Sequence, residues 1–328
     1  MFYNSSQLLV AQVMGFLKGP MSNKRVIISG ISGFIGYHLA VNLINQGYTV
    51  LGIVRPNSVH LERLSQLKLD LVVLDIQQID QLPKMITGTY DTFFHLAWAG
   101  CRAPERDDAK IQQSNHYASL KALQAAKDCG CSCFIATGSQ AEYGIMHTQV
   151  SEKYQSYQPY NEYGKAKLMT YFDTEKLSKT LGIRFIWARI FSTYGIYDSS
   201  SAMITQCINL MRTNECVPLT SATQLWNYIH VEDVAEILRL LAEKESTQGL
   251  YHIASLDKRP LKEFILEIKA LMKSDSILDF SAIPYGLEGP INLQPLITRI
   301  QSELKWKTRI DFKTGITKIL NHSKEPTL

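Results

Sequence analysis

Long runs of one residue class are missing from this sequence. No run of five or more lysines and arginines occurs, although the net charge of the 328 residues is +4. A chain without such a basic stripe matches a phosphate backbone poorly, so we expect no nucleic acid partner. No segment reaches the roughly 18 consecutive apolar residues that a membrane-spanning helix needs, so we expect no membrane partner either.

Cysteine is also scarce, with six residues. Cys129, Cys131 and Cys133 alternate along one segment, and their spacing fits neither a zinc pair nor a redox pair. Cysteines in such a pattern are typical of small buried apolar side chains in a reducing compartment. We therefore expect a cytoplasmic protein that holds no metal.

From Arg25 onward, short apolar runs alternate with amphipathic segments. This alternation predicts parallel strands that are connected by helices. Between the first two apolar runs, Ile35, Leu39 and Leu43 recur every four residues and form one helical stripe. The predicted strands are residues 25–29, 49–54, 71–74, 92–96, 133–137 and 184–190. Such a series predicts a doubly wound α/β sheet, whose ligands lie beyond the carboxyl ends of its strands.

The first predicted strand leads directly into a glycine-rich segment and then into a helix. Glycines fit there because the turn is tight, the backbone must approach a pyrophosphate closely, and the helix must pack on the strand. The helix N-terminus offers free N–H groups to the anion. The segment therefore predicts a dinucleotide site that is built from Gly30, Ser32, Gly33, Phe34, Ile35 and Gly36.

The end of the second predicted strand indicates which dinucleotide is bound. In such folds an acidic residue about 20 positions beyond the glycines binds the ribose of NAD, whereas an arginine accommodates the 2′-phosphate of NADP. Here no carboxylate is present, and Arg55 with Ser58 suits a phosphate. We therefore expect NADP, with NAD as the alternative. Later strand ends are expected to contribute Asp75, Ile76, Leu96 and Ala97.

The regular alternation weakens after residue 190, which predicts a second, smaller lobe. We expect an N-terminal extension over residues 1–21 and a dinucleotide-binding Rossmann domain over residues 22–190. A segment near residues 226–254 is expected to return to that domain. Residues 191–225 and 255–328 are expected to form an α/β lobe that binds the substrate.

A tyrosine and a lysine mark the expected reacting group. Tyr163 and Lys167 are four residues apart on a predicted helix, so their side chains share a face. A neighbouring ammonium and a nicotinamide cation favour the phenolate, and about 4 kcal/mol of such help would lower the pKa of a phenol from about 10 to about 7. Tyr160 has Gly164, not a lysine, at the matching position, so we do not expect it to react.

Together, five segments resemble the extended short-chain dehydrogenase/reductase family, of the NAD-dependent epimerase/dehydratase type. Besides the glycine loop and the Tyr163/Lys167 pair, they are residues 138–144, 189–195 and 228–233, in the family's order and approximate spacing. The resemblance implies a Rossmann fold, a nucleotide-sugar substrate and a homodimer.

The resemblance also implies roles for individual residues. Tyr163 would exchange a proton with a sugar hydroxyl or carbonyl, and Lys167 would hold the cofactor ribose. Ser139 would donate a hydrogen bond to the reacting oxygen. Asn115 falls where the family places a helix asparagine that supports the site beside the cofactor.

The residues after Ser139 narrow the reaction that the resemblance implies. Family dehydratases carry Asp and Glu at the next two positions, where this chain has Gln140 and Ala141, so dehydration is disfavoured. Glu142 leaves dehydration open. The family's epimerase/reductases use an added cysteine and histidine, and no cysteine lies within residues 139–167.

Two reactions remain as the main hypotheses, the reduction of a keto-sugar and a 4-epimerisation on tightly bound NAD. Arg55 favours the reductase, because a reductase exchanges its cofactor and commonly uses NADPH. Residues 138–144 are similar to those of 4-keto-6-deoxyhexose reductases, which indicates a nucleotide-linked 4-keto-6-deoxy sugar. A reductase of small non-sugar ketones and a non-catalytic nucleotide sensor stay as alternatives, and the presence of both Tyr163 and Lys167 disfavours the sensor.

Two departures from the family pattern affect the expected substrate site. An asparagine that often binds the nucleotide-sugar is replaced by Ser192, and an arginine that often binds the diphosphate is replaced by Trp226. Arg212 and Lys305 are further candidates for the diphosphate. The expected substrate contacts are Ser139, Gln140, Ser192, Trp226 and Arg299.

Several histidines could suggest a metal or a general acid: His95, His116, His147 and His230. Their spacing fits no metal-ligand template, so we predict that they are structural. His147 alone stays a candidate, because the loop after Gly144 can approach the substrate.

Overall fold

The computed structural model describes residues 24–146, 148–154, 156–286 and 289–322. The N-terminal extension, residues 1–21, and His147 lie outside the described residues. In the described part of the chain, the strands are β1 (Arg25–Ser29), β2 (Thr49–Val54), β3 (Asp70–Val73), β4 (Thr92–His95), β5 (Cys133–Ser139), β6 (Arg184–Ile190), β7 (Ser192–Tyr194), β8 (Val217–Leu219), β9 (Leu225–His230), β10 (Gly249–Ile253), β11 (Lys258–Pro260) and β12 (Leu278–Phe280).

Seven of these strands form one parallel sheet in the order β10-β6-β5-β4-β1-β2-β3. All six predicted strands are present. Their ends differ slightly, since β3 starts one residue earlier than predicted and β5 continues to Ser139. The seventh strand, β10, was not predicted as a strand. The central strands are buried almost throughout, as expected for a parallel sheet that is covered on both faces.

Helices cover both faces of this sheet. Their bounds are α1 (Phe34–Asn45), α2 (Leu82–Met85), α3 (Ala109–Asp128), α4 (Glu162–Leu181), α5 (Met203–Arg212), α6 (Val231–Glu243), α7 (Leu261–Met272), α8 (Thr298–Leu304) and α9 (Phe312–His322). Apolar residues of α1 and α6 fill the core on one face, and those of α3 and α4 fill the core on the other. The fold is therefore the doubly wound, Rossmann-type arrangement that the sequence predicts. Among the described residues, no helix combines the length and the apolarity that a membrane span requires.

A second group of elements surrounds a separate core. Strand β9 lies between β7 and β11 in a three-stranded sheet, and β8 pairs with β12. Helices α5, α7 and α9 pack on these strands around Tyr228, Phe264 and Phe312. The boundaries of the two expected domains stay a prediction.

The parallel sheet brings the predicted ligand-binding residues to one edge. Gly30 follows β1, Arg55 follows β2, and Leu96 follows β4. Ser139 ends β5. The strand order reverses between β1 and β4, which is the place where folds of this type open a crevice for a ligand.

We predict that Phe264→Ala lowers the free energy of unfolding by about 3–5 kcal/mol, because it leaves a cavity in the second core. Phe264 is fully buried, whereas Leu266 on the same helix is largely exposed. The matched control, Leu266→Ala, should cost less than about 1 kcal/mol. Urea unfolding measures both values, and equal losses would contradict this description of the core.

Candidate active site

A cavity of about 470 Å³ opens at the carboxyl edge of the sheet. It lies at the ends of β1, β2 and β4. The predicted cofactor residues that line it are Gly30, Ser32, Gly33, Arg55, Ser58, Asp75, Ile76, Leu96, Ala97 and Asn115. Phe34, Ile35 and Gly36 form the first turn of α1, directly after the lining residue Gly33. The structure thus brings the predicted cofactor residues of the loops and strand ends into one cavity.

The glycine loop has no room for side chains. Gly30 has a φ of +74°, and a Cβ there would lie 2.8 Å from the backbone nitrogen of Ala97. A Cβ on Gly36 would overlap the carbonyl oxygen of Gly30. No side chain caps the start of α1, so its first N–H groups remain available to an anion.

Polar groups line the part of this cavity that lies near the ends of β2 and β3. The hydroxyls of Ser32 and Ser58 are hydrogen-bonded at 2.9 Å, which ties the glycine loop to the segment after β2. Arg55 is exposed and lines the cavity, and it takes part in none of the ion pairs among the described residues. Asp75 accepts a hydrogen bond from the backbone N–H of Gln77 at 2.9 Å. The glycine loop, the uncapped N-terminus of α1 and the guanidinium of Arg55 fit a dinucleotide. A bound nicotinamide would supply or accept hydride there.

The chain after β4 is held in place by α3. Asn115 accepts a hydrogen bond from the backbone N–H of Ala99 at 3.0 Å and donates one to the carbonyl of Ala99 at 2.9 Å. Gln112 accepts a hydrogen bond from the Trp98 indole at 2.9 Å and donates one to the carbonyl of Gly100 at 2.8 Å. Asn115 therefore shapes the cavity by fixing the backbone opposite the glycine loop.

His95 lies behind the cavity. Its two ring nitrogens are hydrogen-bonded to the hydroxyls of Ser29, at 3.0 Å, and Ser119, at 2.9 Å. Burial lowers the pKa of His95 to about 3, so the ring is neutral at physiological pH. It connects β1, β4 and α3 and serves as a structural residue.

Tyr163 and Lys167 lie on the buried face of α4, with 9 % and 4 % of their surface exposed. Asn161 caps the N-terminus of this helix, because its side chain accepts a hydrogen bond from the backbone N–H of Gly164 at 2.8 Å. The Lys167 ammonium donates to the carbonyl of Thr137 at 2.7 Å, and it lies 5.9 Å from the centre of the Tyr163 ring.

Burial controls the ionisation of both groups. It raises the pKa of Tyr163 above its usual value, against the lowering effects of a hydrogen bond with Ser139 and of the Arg106 charge. Burial also lowers the pKa of Lys167 to about 8. The sequence predicts that Lys167 and a bound nicotinamide cation together lower the pKa of Tyr163, and this stays a prediction. Here the Lys167 ammonium donates to Thr137. A phenol that keeps its proton at neutral pH is suited to act as a proton donor.

Glu142 occupies a fully buried position next to Ser139. Its carboxylate accepts hydrogen bonds from the backbone N–H of Ser139 at 2.6 Å and from the Trp187 indole at 3.1 Å. It also forms an ion pair with Arg189, whose Nε lies 2.8 Å away. A Cβ on Gly138 would overlap Trp187 and Glu142, so glycine is required there. The carboxylate that left dehydration open is thus engaged in structural contacts.

The structure places the predicted substrate residues in three separate locations. Gln140 accepts a hydrogen bond from the Ser139 hydroxyl at 3.3 Å, so it lies beside the reacting group. Ser192 and Trp226 lie on the paired strands β7 and β9, which continue from the main sheet into the second group of elements.

Arg299 is not brought to this site. It donates to the carbonyl of Leu250 and to the carboxylate of Glu303, both at 2.7 Å. Leu250 of β10 pairs with Trp187 of β6, which pairs with Ala136 of β5, so Leu250 lies two strands away from β5 and three residues before the level of Ser139. Lys305 ends the helix that carries Arg299, and Arg212 ends α5.

The comparison with known families agrees with this geometry. The sequence model of the NAD-dependent epimerase/dehydratase family matches residues 26–254. The chain belongs to this family. Membership confirms the resemblance that the motifs indicate, and it supports a nicotinamide cofactor.

Relatives match over most of the chain. CDP-abequose synthase of Salmonella typhimurium is 26 % identical over 322 residues, which cover 94 % of this chain and 99 % of that protein. dTDP-6-deoxy-L-talose 4-dehydrogenase (NAD(+)) of Aggregatibacter actinomycetemcomitans is 25 % identical over 254 residues, covering 74 % and 90 %. A UDP-N-acetylglucosamine 4-epimerase of Methanobrevibacter ruminantium has the same fold, with a TM-score of 0.81 and 20 % identity, covering 92 % and 100 %.

Sequence reasoning missed the connection between β4 and α3. Trp98 lies in the cavity lining, and the Lys167 ammonium is 3.5 Å from the centre of its ring. Arg106 lies over the ring of Tyr163. Its position in the sequence could have indicated it. The segment follows a strand whose carboxyl end lies at the edge of the sheet where ligands bind, and it contains an aromatic residue and cations between Ala97 and Asn115.

We predict that Glu142→Gln lowers the free energy of unfolding by about 3–5 kcal/mol, because it leaves Arg189 buried without a counter-charge. The double variant Glu142→Gln/Arg189→Met should recover much of this loss. The control is Glu162→Gln, which breaks a more exposed ion pair with Lys165 and should cost less than about 1 kcal/mol. Urea unfolding of the four proteins tests the prediction, and similar values for both single variants would refute it.

Proposed function

We propose that this protein reduces a nucleotide-linked 4-keto-6-deoxy sugar with NADPH. The observation that supports it most is the position of Tyr163, which is buried and meets edge-on the ring of Trp98, a residue that lines the cavity. Burial raises the pKa of Tyr163, which favours its protonated form. The names of two relatives agree, since one is a CDP-linked sugar synthase and the other a 4-dehydrogenase of a dTDP-linked 6-deoxy sugar.

In the proposed reaction, Tyr163 and Ser139 act on the carbonyl oxygen of the sugar. Ser139 donates a hydrogen bond to this oxygen and polarises the C=O bond. As the carbonyl carbon gains hydride, the oxygen takes the proton of the Tyr163 hydroxyl, and the product is the alcohol. The raised pKa of Tyr163 keeps that proton in place until the oxygen becomes basic.

Three features disfavour other reactions at this site. Glu142 is held by Arg189, Trp187 and Ser139, so it is not placed as a base for the loss of water. Gln140 and Ala141 stand where family dehydratases carry acids. Arg55 supports NADPH, because its guanidinium lines the cavity beside Ser58 and Ser32 without a carboxylate partner among the described residues.

The choice of cofactor is tested by calorimetry with NADPH and NADH. We predict that wild-type protein binds NADPH more tightly and that Arg55→Ala weakens NADPH binding about 10- to 100-fold, the effect of one lost charge-assisted contact to phosphate. Binding of NADH should change less than about threefold. The control is Arg63→Ala, because Arg63 lies over the Tyr197 ring and does not line the cavity.

A wild-type preference for NADH would refute the role of Arg55. Purification of the protein with NAD already bound would do the same. Either result would make the 4-epimerase the leading hypothesis, since the family includes enzymes that retain NAD.

The reaction is tested with CDP- and dTDP-linked 4-keto-6-deoxyglucose, followed by the loss of NADPH. We predict that Tyr163→Phe lowers kcat about 100- to 10,000-fold, because it removes the proton donor. Tyr160→Phe, a change at a half-exposed neighbour, should leave kcat within about twofold. Turnover of free ketones without turnover of the nucleotide-linked sugars would contradict the proposed substrate.

We further propose that the protein acts in the cytoplasm as a homodimer. All six cysteines are free thiols, which suits a reducing compartment. Large apolar side chains on α3 and α4, those of Tyr117, Met169 and Phe172, are about half exposed. Contact between two copies through these helices would cover them.

A further inference from the structure

The connection between β4 and α3, residues 96–108, passes beside Tyr163. Its Trp98 indole meets the Tyr163 ring edge-on, with 6.1 Å between the ring centres. The guanidinium carbon of Arg106 lies 4.5 Å from the centre of the same ring. This connection therefore places a cation over the face of the expected proton donor.

Several contacts hold Arg106 in this position. Its guanidinium donates to the carbonyl of Cys101 at 3.1 Å. The adjacent Asp107 accepts a hydrogen bond from the backbone N–H of Glu162 at 3.2 Å, which ties the connection to the first turn of α4. Gln112 donates to the carbonyl of Glu105, the residue before Arg106, at 3.1 Å. Arg106 and Tyr163 are thus anchored to each other through the backbone on both sides.

The charge of Arg106 is not neutralised by a carboxylate. None of the ion pairs among the described residues includes Arg106. Arg102, on the same connection, is different, because it forms an ion pair with Asp198 at 3.3 Å. The two arginines therefore offer a matched pair for experiment, one directed at Tyr163 and one at a carboxylate.

Lys167 cannot supply the same constant charge. Its ammonium is 5.9 Å from the centre of the Tyr163 ring, farther away than the guanidinium of Arg106. Because burial lowers the pKa of Lys167 to about 8, this side chain loses its proton within the range in which enzymes work. A guanidinium stays charged throughout that range.

We propose that Arg106 is a positioning residue that stabilises the phenolate form of Tyr163 through the face of its ring. The electron-rich face of an aromatic ring attracts a cation, and a phenolate ring carries more negative charge than a phenol ring. After Tyr163 gives its proton to the carbonyl oxygen, the phenolate remains until it takes a proton from solvent. Arg106 lowers the free energy of that state. The inference depends on the proposed function only in the role of Tyr163 as proton donor.

Other ionisable groups also surround Tyr163. Cys101 from the connection and Glu142 from the turn after β5 act on its charge, and Lys167 from α4 lies over its ring. Arg189 of β6 is paired with Glu142, and the Glu162–Lys165 pair flanks Tyr163 in the sequence of α4. Negative charge on Cys101 or Glu142 disfavours the phenolate. Arg189 is neutralised by Glu142. Of the two cations over the Tyr163 ring, Arg106 is the nearer, and its charge opposes these effects.

The test measures the ionisation of residue 163 directly, without a sugar substrate. In the full-length protein, 3,5-difluorotyrosine replaces Tyr163, because its more acidic hydroxyl brings the titration into an accessible pH range. Fluorine NMR then reports the ionisation of this residue alone. The sample contains NADP⁺ or NAD⁺, whichever of the two the protein binds more tightly. The proteins compared carry Arg106 unchanged, Arg106→Gln, Arg106→Lys or, as the matched control, Arg102→Gln.

We expect Arg106→Gln to raise the titration midpoint by about one pH unit, a tenfold loss of phenolate relative to phenol at a given pH. Arg106→Lys should keep most of the original midpoint because it keeps the charge, and Arg102→Gln should not move it. Arg106→Met provides a second neutral variant if the glutamine variant fails to fold.

A shift below about 0.3 unit in a folded neutral variant would overturn the proposal, as would an equal shift in Arg102→Gln. Failure of the proposed function is distinguishable, because it would appear as no turnover of the keto-sugars while the titration is still measured.

Discussion

The buried ion pair between Glu142 and Arg189 connects the reacting group to the rest of the molecule. It joins the carboxyl ends of β5 and β6, and its carboxylate also holds the backbone N–H of Ser139. Because both side chains are buried, the loss of either partner leaves the other as an uncompensated charge. The geometry around Ser139 is therefore only as stable as this pair.

The same ion pair is the start of a longer series of contacts. The Arg189 guanidinium lies 4.4 Å from the centre of the Tyr143 ring, and the Tyr143 hydroxyl donates to His252 at 2.6 Å. His252 in turn donates to the carbonyl of Leu296 at 2.9 Å. Because burial lowers the pKa of His252 to about 3, the ring stays neutral and can accept from Tyr143 while donating to Leu296. A continuous polar network thus runs from β5 to the segment before α8.

Burial also shapes the chemistry of the site. Removing Tyr163 and Lys167 from water raises the pKa of the tyrosine and lowers that of the lysine, and both changes favour the neutral forms. A site with a neutral phenol suits proton donation. It also requires nearby charges to stabilise the phenolate once the proton has left, which gives Arg106 its importance.

Local patterns determined much of this protein. The glycine loop, the alternation of strands and helices, and the four-residue spacing of Tyr163 and Lys167 depend on neighbouring residues, so they could be predicted from the sequence. Only the tertiary structure decided the roles of Arg299, Glu142 and Arg106, because each depends on a partner that is distant in sequence or on burial. Strand β10 was missed for a related reason, since its buried polar side chains, His252 and Tyr251, have hydrogen-bond partners that are distant in sequence.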